Sequence, residues 1–182
     1  MLKFYLFLFF FIFNLNANAD NKIKIVENLE KTKNLSFNFE QNTNGKVENG
    51  NCIIEYPKKI FCEYLKNNNK ILVSNGKSLI IKTKTSFYRY TLGKTPLNLI
   101  LDKEFLIKKI HDLNEEIIDK SYINYKIIEN DHEINVFFDS KTFNLIGWQT
   151  RDLYQNLNMT LLSYIEINQK ISKDLFKIPS QN

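Results

Sequence analysis

The feature that most constrains this chain is a period-two alternation of apolar and polar residues, interrupted by short turn sequences. Phe37 and Phe39 alternate with Ser36, Asn38 and Glu40. Cys52, Ile54 and Tyr56 share one parity, and beyond a Tyr-Pro-Lys-Lys turn Ile60, Cys62 and Tyr64 share one as well. Glu55 and Glu63 take the other faces. In a strand, successive side chains point to opposite sides, so such runs are half-buried strands with one face on a core. Pro57 suits the turn because its ring sets φ and it owes the ladder no donor.

The same grammar continues. Asn75-Gly76 between the apolar runs ILV and LII predicts a tight hairpin, of type I′ if both central residues take positive φ. Both runs are apolar on both parities, so their inward faces stay unassigned. Further strands are expected over Phe87–Leu92, Tyr122–Ile128, Glu133–Phe138, Leu145–Arg151 and Leu157–Ile167, with turns at Asp139-Ser140 and Gln155-Asn156. Helices are few. Lys22 to Lys33 places Ile25, Val26 and Leu29 on one stripe. Thr95-Pro96 reads as a helix start, Thr as N-cap and Pro at the first helical position, followed by an apolar face of Leu97, Ile100 and Leu101. Asp102 is placed to cap a second short helix. The expected fold is a single mainly β (α+β) domain of antiparallel strands with a few short helices.

Residues 1–19 pair an early Lys3 with an apolar run, Phe4 to Phe13, and then Ala17-Asn18-Ala19. That is the three-part pattern of a secretory signal peptide with cleavage after Ala19, leaving a domain over 20–182. The run breaks at Asn14 and Asn16, short of the roughly 20 apolar residues a spanning helix needs. No cysteine follows it to accept a lipid, so a soluble exported protein is expected. In an oxidising compartment the two cysteines, Cys52 and Cys62, read first as a disulfide. They share one side of a hairpin, where facing Cβ atoms lie about 4.5–5.5 Å apart.

The chemistry of an enzyme is not visible. The sequence contains no GxSxG, HExxH, phosphate-loop or dinucleotide glycine pattern, and only His111 and His132 as histidines, neither near a cysteine. Asp131-His132-Glu133 and His111-Asp112 are polar groups that read as solvated turns. No enzyme activity, cofactor or metal site is expected. Lysines are scattered within a formal charge of +5, without a basic stripe among aromatics, which argues against nucleic acid. Aromatic residues make up 14% of the chain, which leaves two readings open. One is an ordinary packed core; the other is a sheet curved round an apolar cavity, with amphipathic helices as its plug.

Read in order, the segments resemble the periplasmic outer-membrane lipoprotein carriers of LolA type. The resemblance rests on Phe37-x-Phe39-x-Gln41 after an N-terminal helix, Gly50 before a strand ending in Tyr56-Pro57, and the Ile71–Lys77 hairpin. It continues through Tyr90-x-Leu92-x-x-Thr95-Pro96-Leu97, Leu145-x-Gly147-Trp148-x-x-x-Asp152 and Leu175-Phe176-x-Ile178-Pro179. It implies an unclosed β-barrel with short helices as a lid over a hydrophobic cavity. It also implies a monomeric carrier that takes acylated lipoproteins from an inner-membrane ABC transporter to an outer-membrane acceptor. The cavity residues so implied are Phe37, Phe39, Ile54, Tyr56, Ile60, Tyr64, Tyr90 and Trp148, with Leu97, Ile100 and Leu101 in the lid. A lipoprotein-binding envelope-stress sensor and the outer-membrane acceptor share this architecture and stand as alternatives. The resemblance places Arg before the hairpin proline, holding the lid by polar contacts; here Tyr56 stands there and offers one neutral hydroxyl. Cys52 and Cys62 occupy cavity strands where apolar residues are usual, implying a disulfide in the cavity wall.

Overall fold

The structure is a computed structural model, and it describes residues 17–65, 69–151 and 155–181. Residues 1–16 of the expected signal segment 1–19, and Asp152, lie outside the described residues. The elements run α1 (Ala17–Lys31), β1 (Asn34–Thr43), β2 (Lys46–Glu55), β3 (Lys59–Tyr64), β4 (Ile71–Asn75), β5 (Ser78–Lys82) and β6 (Phe87–Thr91). A 3₁₀ turn (Leu92–Lys94), α2 (Leu97–Ile100) and α3 (Lys103–Asp112) follow. The chain then forms β7 (Glu116–Ile118), β8 (Tyr122–Glu129), β9 (His132–Asp139), β10 (Leu145–Arg151) and β11 (Leu157–Ile167).

All strands join one antiparallel sheet in the order β6-β5-β4-β3-β2-β1-β11-β10-β9-β8-β7. Two meanders therefore meet where β1 pairs with β11, and β6 and β7 remain as edges. The sheet is not closed. The 3₁₀ turn, α2 and α3 form the connection from one free edge to the other. Ile25 and Leu29 of α1, Ile100 of α2, and Leu106 and Ile110 of α3 bury into the same cluster as Phe37, Ile54, Tyr125 and Phe138 of the strands. Burying each such side chain contributes about 1.5–3 kcal/mol, more than short helices of this composition draw from their own propensity.

The parity read from β1, β2 and β3 holds: Phe37, Phe39, Cys52, Ile54, Ile60, Cys62 and Tyr64 are all buried. Helix α1 stops at Lys31 rather than Lys33, because the chain turns to enter β1 and its last carbonyls find remote donors. Asn168 Nδ2 donates to Lys31 O at 3.0 Å, and Lys103 Nζ donates to Glu30 O at 3.2 Å and Thr32 O at 3.0 Å. A cation at the negative end of a helix is favourably placed.

Two local expectations are corrected and a third holds. At Asn75-Gly76 only Gly76 takes positive φ (94°), so the turn is not type I′. Asn75 keeps an ordinary φ, and its Oδ1 accepts from Lys77 N and Ser78 N, both at 3.0 Å, which holds the turn from the side chain. Thr95 does not cap α2. Its hydroxyl donates back to Leu92 O at 2.8 Å, closing the 3₁₀ turn, and α2 is a single turn entered from Pro96. Asp102 does cap α3, accepting from Phe105 N at 3.2 Å.

The two-faced apolar runs of β4 and β5 are explained by the segment after β11. Leu72 and Ile81 face inward, while Val73 and Ile80 are buried on the outer face beside Phe61. Phe176 is buried outside the main core, with Lys59 Nζ 5.7 Å from its ring centre, and Lys82 Nζ donates to Ser180 O at 2.8 Å. Lys59 and Lys82 share the outer parity, so residues 176–180 cross the back of β3–β5.

Candidate functional site

A cavity of about 690 Å³ lies inside the sheet. β6 and β10, far apart in strand order, both contribute to it, so the sheet curls round the space. Its apolar wall is Phe39, Ile60, Tyr64, Leu72, Leu79, Ile81 and Trp148. Cys52 and Cys62 also line it, directly paired in the β2–β3 ladder with Cα atoms 4.1 Å apart and joined in a disulfide. Pro96 and Leu97 cover one side, and Arg89, Tyr90, Thr91 and Lys94 stand at the edge.

Of the residues named from sequence, the cavity thus gathers Phe39, Ile60, Tyr64, Tyr90 and Trp148, together with both cysteines and Leu97. Phe37, Ile54 and Tyr56 do not line it. Phe37 packs edge-on against Trp148, ring centres 6.3 Å apart, and supports the wall from the core. Ile54 is fully buried beneath α1–α3. Ile100 and Leu101 are fully buried in that core as well, so Leu97 is the α2 residue that touches the cavity.

Tyr56 differs most from its expected role. Its hydroxyl is out of solvent and has no hydrogen-bond partner among the described residues, and burial pushes its pKa well above the usual phenol value. No lid carbonyl is held there. The polar ties come from two neighbours. Lys58, at the hairpin tip with φ 66°, donates its backbone N–H to Leu101 O at 2.8 Å, and its ammonium pairs with Asp102 at 3.0 Å. Lys103 supplies the cation on the helix-end carbonyls. Sequence reasoning passed over both because a surface lysine carries no local signal of a remote partner.

Beyond Phe39, the inward face of the central strands turns polar. Tyr64 OH donates to Gln41 Oε1 at 3.2 Å, Gln41 Nε2 to Thr160 Oγ1 at 3.2 Å, Thr160 Oγ1 to Asn158 Oδ1 at 3.4 Å, and Asn158 Nδ2 to Thr43 Oγ1 at 3.1 Å. Gln41, Thr150, Asn158 and Thr160 all line the cavity. This row was legible in principle: Gln41 continues the parity of Phe37 and Phe39, and Thr150 that of Trp148. Next to it, Lys70 lies 3.8 Å from the Tyr64 ring centre and 2.8 Å from Glu48. Burial acts to raise the Glu48 pKa, but Lys70 and Lys46 overcome it and hold the carboxyl below its ordinary value. Burial pushes the Tyr64 phenol up, and Glu48 adds to that shift.

Among the described residues, no helix is long and apolar enough to cross a membrane, and no three His, Cys, Asp or Glu side chains are grouped to hold a metal ion.

An open antiparallel sheet curled round an apolar cavity, with short helices bridging its free edges, defines a class of hydrophobic-cavity proteins. Residues 30–179 match the family described as outer membrane lipoprotein carrier protein LolA, and the chain belongs to that family. No curated protein matches it in sequence. Among solved structures, MucB superposes with a TM-score of 0.51 at 10% identity, covering 92% of this chain and 65% of MucB. An uncharacterized conserved protein from Thermus thermophilus gives 0.51 at 8% identity, covering 90% and 95%. A LolA superfamily protein from Nitrosomonas europaea gives 0.47 at 8% identity, covering 88% and 97%. At such identities the likeness to MucB and to the Thermus thermophilus protein is one of fold alone.

Proposed function

We propose that this protein is a periplasmic carrier that binds the acyl chains of lipoproteins released from the inner membrane and delivers them to the outer membrane. The observation that carries the reading is the apolar cavity enclosed by the curled sheet and flanked by Leu97 of the edge-to-edge connection. A lipoprotein's acyl chains contain tens of CH₂ groups, each worth about 0.8 kcal/mol on burial, so unshielded passage through water is prohibitive. The volume, within the range of about 300–1,000 Å³ of small-ligand sites, suits one small ligand rather than three extended chains. Loading therefore requires the connection or an edge strand to move. Export with cleavage after Ala19, release of cargo by an ABC transporter and transfer to an outer-membrane acceptor belong to the same reading. So does the absence of catalysis.

The test is mass spectrometry of the protein purified from its own periplasm. Co-purified acylated lipoprotein supports the carrier; a different lipid alone, or an empty protein that fails to take lipoprotein from membranes in vitro, overturns it.

A further inference from the structure

The cavity is not uniformly apolar, and its polar part has a definite chemical sense. Gln41, Thr160 and Trp148 lie in one row across β1, β11 and β10; Thr43, Asn158 and Thr150 lie in the next. Thr160 is only 3% exposed, so its hydroxyl sits in the wall and not in solvent. In the relay from Tyr64 to Thr43, Gln41 and Asn158 each donate through their amide nitrogen once. Each side-chain amide has two N–H donors, so among the described residues one remains without a partner on each. The hydroxyl of Thr150, beside Asn158 in the ladder, has no hydrogen-bond partner among the described residues. The spare capacity of this row therefore includes donors. Among the described residues, the charged side chains lining the cavity are Arg89 and Lys94.

We propose that the row formed by Gln41, Asn158, Thr160 and Thr150 is a subsite for the ester and amide carbonyls that link acyl chains to their head. This rests on the carrier reading and specifies what the cavity recognises beyond hydrocarbon. A chain lying along Leu72, Leu79 and Ile81 leaves its carbonyl end at the polar row, where N–H and O–H groups meet the carbonyl oxygens, and an ester brings no donor of its own. A site built to bond a polar group discriminates strongly against an analogue that lacks it, because its own polar atoms are then left dry and unpaired.

The experiment uses a synthetic triacylated lipopeptide and its diether analogue, identical in chain length, head and N-acyl amide but without the two ester carbonyls. Binding to the full mature protein is measured by displacement of a fluorescent lipid. The wild type is expected to hold the carbonyl-bearing lipopeptide roughly tenfold more tightly, the effect of one to two net hydrogen bonds. Thr160→Val and Gln41→Leu should bring that ratio towards one, by weakening the carbonyl-bearing ligand, strengthening the analogue, or both. Thr150→Val, at a less buried position, tests the row if either substitution prevents folding. Equal affinity of the wild type for the two ligands overturns the subsite and leaves the carrier reading standing. Binding of neither overturns both. A ratio that survives all three substitutions overturns the assignment to this row.

Discussion

Gly50 shows how one missing side chain places the cavity wall. A Cβ there would run into the Glu63 carbonyl and lie 2.6 Å from the Phe39 ring, which itself packs edge-on against Tyr64 with centres 4.9 Å apart. Gly50→Ala is therefore expected to cost about 1–3 kcal/mol, the usual range for overpacking, read as a lower midpoint in urea. Tyr56 has the opposite expectation. Its buried hydroxyl pays for desolvation without a partner, so Tyr56→Phe should leave thermal stability unchanged or raise it by up to about 1 kcal/mol. A fall of several degrees would show that the hydroxyl is engaged. Glu48 ties stability to pH. Its folded-state pKa lies below the ordinary 4.5, chiefly through Lys70, so the stability it contributes is present above about pH 4.5. That stability is lost as the pH falls through the depressed folded value. Glu48→Gln should flatten the acid limb of a plot of melting temperature against pH; an unchanged limb would remove Glu48 from the account.

At the scale of elements, the decisive piece is the connection from β6 to β7. It holds the core through Ile100, Leu101, Leu106 and Ile110, and it is tied at its middle by Lys58 and Lys103. Partly exposed ion pairs such as Lys58–Asp102 contribute only about 0–1 kcal/mol, so the apolar contacts dominate. Native-state hydrogen exchange should show residues 97–112 opening below the global unfolding free energy, with Lys103→Ala accelerating that opening and sparing β1 and β11. Protection equal to that of the central strands would exclude a movable lid. The strands were legible because alternation and turn residues agree along most of the chain. The helices were less so. Thr95-Pro96 has the residues of a helix cap, but the 3₁₀ turn before it recruits the Thr95 hydroxyl, a competition no local pattern reveals. Likewise, the doubled apolar faces of β4 and β5 reflect a segment about a hundred residues away, which periodicity within one strand cannot report.

For the whole molecule, Phe39, Ile60, Tyr64 and Trp148, cavity residues implied by the resemblance, lie on the inner wall, whereas Asn158 and Thr160 join Gln41 in the polar row only once β1 and β11 are paired. The Cys52–Cys62 bridge crosslinks that wall, and a loop of this size is expected to contribute about 2–3 kcal/mol. The Cys52→Ala, Cys62→Ala double variant should unfold at correspondingly lower urea concentration, and free thiols in the protein isolated from its own cells without reductant would show that the bridge does not form there. The strip that crosses the back of β3–β5 has a mechanical consequence. Those strands are stitched by the bridge on the β2–β3 side and laminated by Phe176 and Ser180 from outside, so they behave as a fixed jaw. β6 has one paired neighbour, exposed Tyr88 and Tyr90, and a one-turn helix close behind it. Under the pressure of a bulky guest the strain is shared unequally. The jaw is held from two sides and the lip at β6 from one, so a guest too large for the cavity is expected to displace the lip first, like the free arm of a spring clip.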